Sequence, residues 1–155
     1  MSDTITHAAF TIERRYRHPR AKVFKAFSDA EARRRWYIEG EGFTIESYVP
    51  GFGVGEAESS SFRYRDGPLI TNDTVWQDIV PNERTIFAYR MTIDGAPMSS
   101  SLVTILFEPD GEGARLVLTE QGAYVGEHAD VAGRERGMAE LLDALDRELS
   151  GALAT

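Results

Sequence analysis

Apolar and polar residues alternate along most of the chain, which is the pattern of β-strands that bury one face. The first alternating stretch runs from Ala9 to Arg17 and places Phe10, Ile12, Arg14 and Tyr16 on the same face. Further strands, rich in β-branched and aromatic residues, are predicted after it. They run from Phe43 to Val49, Val54 to Arg63, Asn72 to Val80, Thr85 to Ile93, Met98 to Glu108 and Ala114 to Gly122. Turn residues separate these stretches, so we expect hairpins and an antiparallel sheet.

Helical spacing replaces alternation after the first strand and at the end of the chain. Pro19 presets the backbone for a short helix from Ala21 to Ala26. Ser28 and Asp29 form the N-cap signal of a second short helix that ends near Trp36. The last helix is predicted from Arg134 to Leu149, because apolar residues recur there at spacings of three and four. Its apolar stripe consists of Met138, Leu141, Leu142, Leu145 and Leu149.

The order of these elements predicts an α+β fold of the helix-grip type. A curved antiparallel sheet of six to seven strands would wrap around the long C-terminal helix, with two short helices after the first strand. The chain has 155 residues, and no linker or repeat divides it, so we expect one domain over residues 1–155 with its core at about 8–150. The space between the sheet and the last helix is the natural place for a pocket.

Net charge and composition narrow the classes of partner. The formal net charge of −8 argues against nucleic acid, whose phosphates require a basic surface, and against anionic membranes. The run Arg33-Arg34-Arg35 is interpreted as a solvated helix face. No apolar run approaches the roughly 20 residues that span a bilayer. The first residues also lack the pattern of a signal peptide, so we expect a cytoplasmic protein.

Neither a metal site nor a bound cofactor is predicted. The chain has no cysteine, and His7, His18 and His128 lack the spacing of metal ligands. The glycines around Phe52 do not form a phosphate loop, because no Lys-Ser/Thr ending and no helix follow them. His128, in the loop before the last helix, is either a solvent-facing residue or an acid or base at the rim of the pocket.

An ion pair inside the fold is predicted between Arg14 and Glu120. Arg14 lies on the same face of the first predicted strand as its apolar residues. Glu120 lies on the same face of the last predicted strand as Leu116 and Leu118. A charge on an apolar face must be paired or reach water. The pair would be either a strut at the open end of the sheet or a polar anchor for a ligand. A buried carboxylate can also act as an acid or base.

Large apolar residues on the predicted inner faces are candidates for the wall of the pocket. The same residues can equally form the core, and both interpretations stay open. The candidates are Trp36, Phe87, Tyr89, Met91, Val103, Ile105, Phe107, Leu118, Glu120, Met138 and Leu142. Trp76 is ambiguous: with Thr74 and Asp78 it would face outward, where a large ring could mark the contact of a homodimer.

Three segments resemble the SRPBCC superfamily, also called START-like or birch-pollen-allergen-like. They are Arg14-x-Tyr16-x-His18-Pro19 with Val23-Phe24 and Trp36, then Gln77 to Arg84 with Phe87-x-Tyr89-x-Met91, and Arg115 to Gly122. Within the superfamily, they are similar to the branch named after the activator of heat-shock protein 90 ATPase. The resemblance covers roughly Phe10 to Leu149 and implies a helix grip, with members that bind ligands, catalyse cyclisation or assist chaperones.

Three functions follow as hypotheses. The first is a binding module that holds a small hydrophobic or amphipathic ligand between the sheet and the last helix, because the chain shows no catalytic motif. The second is a polyketide cyclase-like, aromatase-like or hydrolase-like enzyme that uses Glu120, Arg14, Tyr89 or His128 in the same cavity. The third, implied by the resemblance alone, is an interaction with the chaperone as an ATPase activator.

Overall fold

A seven-stranded antiparallel sheet frames the protein in the computed structural model, which describes residues 4–151. Its strands are β1 (Ile5–Tyr16), β2 (Phe43–Val49), β3 (Ala57–Tyr64), β4 (Ile70–Val80), β5 (Arg84–Ile93), β6 (Ala96–Asp110) and β7 (Gly113–Val125). Their order in space is β1-β7-β6-β5-β4-β3-β2. Strands β2 to β7 therefore form a meander, and β1 completes the sheet by pairing with β7 from Ile5–Val125 to Tyr16–Ala114.

Two short helices and a π-helical turn connect β1 to β2. These are α1 (Arg20–Ser28), α2 (Ala30–Arg33) and the π-turn (Arg34–Ile38), and the long helix α3 (Val131–Leu149) follows β7. The Asp29 carboxylate accepts hydrogen bonds from the Glu31 and Ala32 amides at 3.0 and 3.2 Å, so the predicted N-cap is confirmed. The α+β helix grip is likewise confirmed. Across residues 4–151, no helix combines the length and apolar composition needed to cross a bilayer.

Between the last predicted strand, which ends at Gly122, and the last predicted helix, which begins at Arg134, most residues form regular elements. β7 continues to Val125 because β1 begins as early as Ile5 and supplies pairing partners there. A 3₁₀ turn (Gly126–His128) follows. Asp130 then caps α3 by accepting from the Gly133 amide at 2.9 Å.

The core fills the space between the concave face of the sheet and the helices. Val23 on α1, Val103 on β6, Leu116 on β7 and Leu145 on α3 are wholly buried. Burial of each such side chain contributes about 1.5–3 kcal/mol of hydrophobic stabilisation. Aromatic rings extend this packing, since Phe107 meets the Phe24 and Phe27 rings edge-on with centroid separations of 5.4 and 5.1 Å.

Trp76, whose face the sequence left ambiguous, lies on the inner face of β4. Its side chain is buried, its ring packs on Phe87 at 5.0 Å, and its indole nitrogen donates to the Gly51 carbonyl at 2.6 Å. The pattern was ambiguous because Val75, equally apolar, occupies the exposed position beside it, and a bulge at Gln77 changes the register after Trp76. The proposed dimer contact through Trp76 therefore loses its basis.

Candidate functional site

A small cavity lies between the inner face of the sheet, the π-turn and α3. The centre of a water molecule can reach about 20 Å³ of it, which is room for about one water. Its wall is mainly apolar and includes Phe27, Trp76 and Leu141. It also contains six of the residues predicted for the pocket, namely Trp36, Phe87, Ile105, Leu118, Met138 and Leu142.

The other five residues predicted for the pocket lie outside the cavity wall. Val103 and Phe107 are buried within the core, and Met91 is partly buried near the end of β5. Tyr89 and Glu120 belong to a buried hydrogen-bond network beside the cavity. Contact of any of the eleven with a ligand stays a prediction.

One side of the cavity carries a buried ion pair between Arg33 and Glu58. The two side chains are 2% and 4% exposed, and the Arg33 guanidinium donates to both Glu58 carboxylate oxygens. Arg33 also donates to the backbone carbonyls of Phe27 and Gly51. Glu58 accepts in addition from the Tyr48 hydroxyl and the Gly51 amide, each at 3.1 Å. Both charges are thus neutralised and their hydrogen-bonding capacity is largely used within the protein.

The interpretation of Arg33-Arg34-Arg35 as a solvated face is wrong for its first member. Arg33 ends α2 and points into the grip, with its guanidinium 5.4 and 5.8 Å from the Phe52 and Trp76 ring centroids. Arg34 is exposed, as predicted, and pairs with Glu39 at 2.9 Å. Sequence order alone did not show that Glu58, 25 positions away, would neutralise one arginine of the three.

A second buried network surrounds Glu120 on β7. The Tyr89 hydroxyl donates to one carboxylate oxygen at 2.6 Å, and the Tyr124 hydroxyl and Ser101 hydroxyl donate to the other at 2.7 and 3.1 Å. The charge partner is Arg134 of α3, whose Nη1 lies 3.4 Å from the Glu120 carboxylate and donates to the Tyr89 hydroxyl at 2.8 Å. The network therefore ties the start of α3 to three strands of the sheet.

The predicted Arg14–Glu120 pair is wrong. The register places Glu120 opposite Phe10 and Arg14 opposite Leu116, which separates the two by four residues, or about 13 Å, along the strands. Arg14 instead lies 3.5 Å from Asp143 of α3 and is one-third exposed. Alternation indicates which face of a strand two residues share, but not how far apart they lie along it. The charge partner of Glu120 is Arg134 instead of Arg14.

His128 occupies the 3₁₀ turn before α3. Its Nε2 lies 3.6 Å from the Glu127 carboxylate, and the imidazole is about one-third exposed. It is not among the residues of the cavity wall. The placement agrees with the solvent-facing alternative for this residue.

Tyr37 is one of seven residues of the cavity wall that sequence reasoning did not assign to the pocket. It lies in the π-turn, directly after Trp36, and packs against the buried core. No hydrogen bond joins its hydroxyl to any other residue within 4–151. π-Helical turns occur frequently at functional sites, but the amino-acid pattern of Arg34 to Ile38 carries no signal that separates such a turn from an α-helix.

Burial keeps the inner tyrosines in their neutral form. Desolvation, followed by the negative charge of Glu120, raises the pKa of Tyr89 far above its usual value. The pKa of Tyr37 is raised by burial and by the charges of Glu58 and Glu120. The charges of Arg33 and Arg134 oppose this rise to a smaller extent. Burial and the hydrogen bond to Glu120 raise the pKa of Tyr124 to about 12. These hydroxyls therefore act as hydrogen-bond donors over the physiological range.

Residues 17–150 match the family model described as "Activator of Hsp90 ATPase homolog 1-like protein". Among curated proteins, none matches the chain. Two solved structures from rhizobia are similar over nearly their whole length. The Mll3558 protein from Rhizobium loti is 44% identical, with a TM-score of 0.85, and the match covers 94% of this chain and 99% of that one.

The second is an uncharacterized protein from Rhizobium leguminosarum. It is 35% identical with a TM-score of 0.92, and the match covers 97% of this chain and 99% of that one. Protein CV1439 from Chromobacterium violaceum is 23% identical with a TM-score of 0.76, over 91% of this chain and 96% of that one, and shows the shared fold alone. The names of these proteins state no ligand or activity.

Proposed function

The chain belongs to the family of activator of Hsp90 ATPase homolog 1-like proteins, and we propose that it is a binding module for a small hydrophobic or amphipathic ligand. The observation that carries the proposal is the cavity between the sheet, the π-turn and α3. Its wall combines tryptophan and aliphatic side chains with a few polar groups. Binding sites for small molecules have this composition, in which apolar area supplies affinity and a few polar groups set orientation.

Binding of a typical ligand requires the cavity to expand. Sites for drug-sized molecules measure about 300–1,000 Å³, whereas the space here is about 20 Å³. Met138 of α3 lines the cavity and is an unbranched side chain that adapts its shape readily. Leu141, one turn further on, is only partly buried. We therefore expect a ligand to enter by displacing the middle of α3, while the Arg134 network holds the start of the helix.

The contacts at Glu120 favour binding over acid–base catalysis. A catalytic carboxylate must reach a substrate proton. Both oxygens of Glu120 already accept hydrogen bonds from tyrosine and serine hydroxyls, and the carboxylate is wholly buried. The raised pKa of Tyr89 likewise disfavours its use as a base. A structural role in holding α3 accounts for these contacts.

Native mass spectrometry of protein purified from its own host tests the proposal. A retained small molecule, released by denaturing extraction, is the expected result. The variant Leu118→Phe would fill part of the cavity and should abolish retention. Leu106→Phe is the matched control, because Leu106 lies on the exposed outer face of β6 and should leave retention unchanged. Wild-type protein that carries no molecule, and binds none when offered apolar compounds, contradicts the proposal.

A further inference from the structure

Tyr37 lines the cavity and is partly buried against the core. Within residues 4–151, no hydrogen bond joins its hydroxyl to another residue. Buried tyrosine hydroxyls usually have a partner, because a lone polar group in an apolar site is unfavourable. A partner from outside the chain, held in the cavity, fits this arrangement.

The charges around the cavity exclude a charged ligand group. Arg33 is neutralised by Glu58, and Arg134 is neutralised by Glu120, so the two buried pairs carry no net charge. The Arg33 and Arg134 guanidiniums already donate to carboxylates, hydroxyls and backbone carbonyls. A ligand carboxylate would lie near two buried carboxylates without a free cation, and a ligand ammonium would lie near two buried guanidiniums. Burial of either charge without a partner is strongly unfavourable.

The remaining polar chemistry of the wall is that of neutral hydroxyls. Thr74 donates its hydroxyl to the Asn72 side-chain oxygen at 3.2 Å, which commits its proton within the protein. Tyr37 keeps its proton because burial and the neighbouring carboxylates disfavour the phenolate. Among the hydroxyl groups described on its wall, the cavity thus offers one free donor, from Tyr37. The cavity has room for about one water molecule. A single ligand oxygen atom can take the place of that water and accept the hydrogen bond from Tyr37.

We propose that the ligand is a neutral molecule with a hydrocarbon body and one oxygen acceptor, such as a ketone, ester or ether, which accepts a hydrogen bond from the Tyr37 hydroxyl. This inference rests on the proposed binding function and specifies its ligand class. The hydrocarbon body packs against Trp36, Trp76 and the adaptable residue Met138. The two buried ion pairs discriminate against fatty acids and amines of the same length.

Intrinsic tryptophan fluorescence provides the test, because Trp36 and Trp76 are the only tryptophans of the chain and both line the cavity. The probes are methyl hexyl ketone, octanoate, octylamine and octane, which share one chain length and differ in the polar end. Wild-type protein should bind the ketone at least about tenfold more tightly than octanoate or octylamine. Tyr37→Phe should weaken ketone binding about five- to tenfold and leave octane binding unchanged. Tyr64→Phe, at an exposed position of β3, should change neither.

The possible results distinguish a failure of this inference from a failure of the proposed binding function. If probes bind but Tyr37→Phe and wild type hold the ketone equally well, the anchoring role of Tyr37 is wrong while the binding function stands. Octanoate binding as tight as ketone binding to wild-type protein overturns the neutral-ligand class and needs no variant. If no probe alters the fluorescence, both the inference and the proposed function fail. Tyr37→Phe removes one unpaired oxygen, and its unfolding curve in urea verifies that it folds.

Discussion

Removal of one partner of the Arg33–Glu58 pair should destabilise the protein far more than removal of an exposed ion pair on the same segment. Arg33→Met preserves length and apolar contact but leaves the Glu58 carboxylate buried without its cation. Glu58 would keep only the Tyr48 hydroxyl and the Gly51 amide as donors. Breaking a buried pair in this way costs about 3–5 kcal/mol of unfolding free energy.

The reverse change, Glu58→Met, should cost a similar amount. Arg33 would then keep the backbone carbonyls of Phe27 and Gly51 but no counter-charge. The double variant Arg33→Met/Glu58→Met buries no charge. Its loss should therefore fall short of the sum of the two single losses by a coupling energy of about 2–3 kcal/mol.

Urea unfolding followed by tryptophan fluorescence measures all of these variants, because Trp76 lies beside the pair. Arg34→Met is the matched control: Arg34 and Glu39 are 45% and 48% exposed, and their pair should contribute no more than about 1 kcal/mol. Strictly additive losses in the double variant would refute the reasoning, since the two charges would then not stabilise each other. If Arg33→Met lowers the unfolding free energy no more than Arg34→Met does, the conclusion that the Arg33–Glu58 pair is buried would be wrong.

Four further variants test other parts of the structure. Burial raises the pKa of Tyr124 to about 12 from 10, so the unfolded chain loses this proton at a lower pH than the folded protein does. The free energy of unfolding should therefore fall as pH rises from 10 through 12. In urea unfolding at several pH values, Tyr124→Phe should make this fall smaller. Gly137→Ala, on an open face of α3, should stabilise the protein by about 0.5–1 kcal/mol in urea unfolding. Gly122→Ala should destabilise it, because the added Cβ would lie 2.7 Å from the Ser101 hydroxyl. Equal effects of the two variants would contradict the open surroundings of Gly137 and the tight surroundings of Gly122. The Thr85 hydroxyl is buried without a partner among the described residues, so Thr85→Val should raise the unfolding free energy by about 1 kcal/mol, and a loss would show an undetected partner.

The elements of this fold could be predicted from the sequence because alternation and helical spacing are local signals. Phe10, Ile12 and Tyr16 were expected on one face of the first strand and are buried there together. The apolar stripe of α3 was expected from its spacing, and Met138, Leu142, Leu145 and Leu149 are buried along it. Such signals depend only on residues within a few positions of one another.

The polar interior could not be predicted because its contacts join distant segments. Parity placed Arg14 and Glu120 on inner faces but did not give their separation along the strands. Arg134 was predicted only as the first residue of a helix, yet it reaches Glu120 from there. Tyr37 carries no distinguishing pattern at all, and its place in the cavity depends on how the π-turn packs beneath α3.

The pairing of β1 with β7 sets a delay in the folding of the chain during its synthesis. Tyr16 and Ala114 are the partners closest in sequence, and about 100 residues lie between them. At about 5–20 residues per second, the ribosome needs roughly 5–20 s to deliver β7 after β1 has been made. Throughout that interval β1 lacks its partner strand and could pair with other chains. Closure of so long a loop is also slow in refolding from denaturant, so we expect β1–β7 hydrogen bonds to gain protection from exchange later than those of the β2–β6 meander.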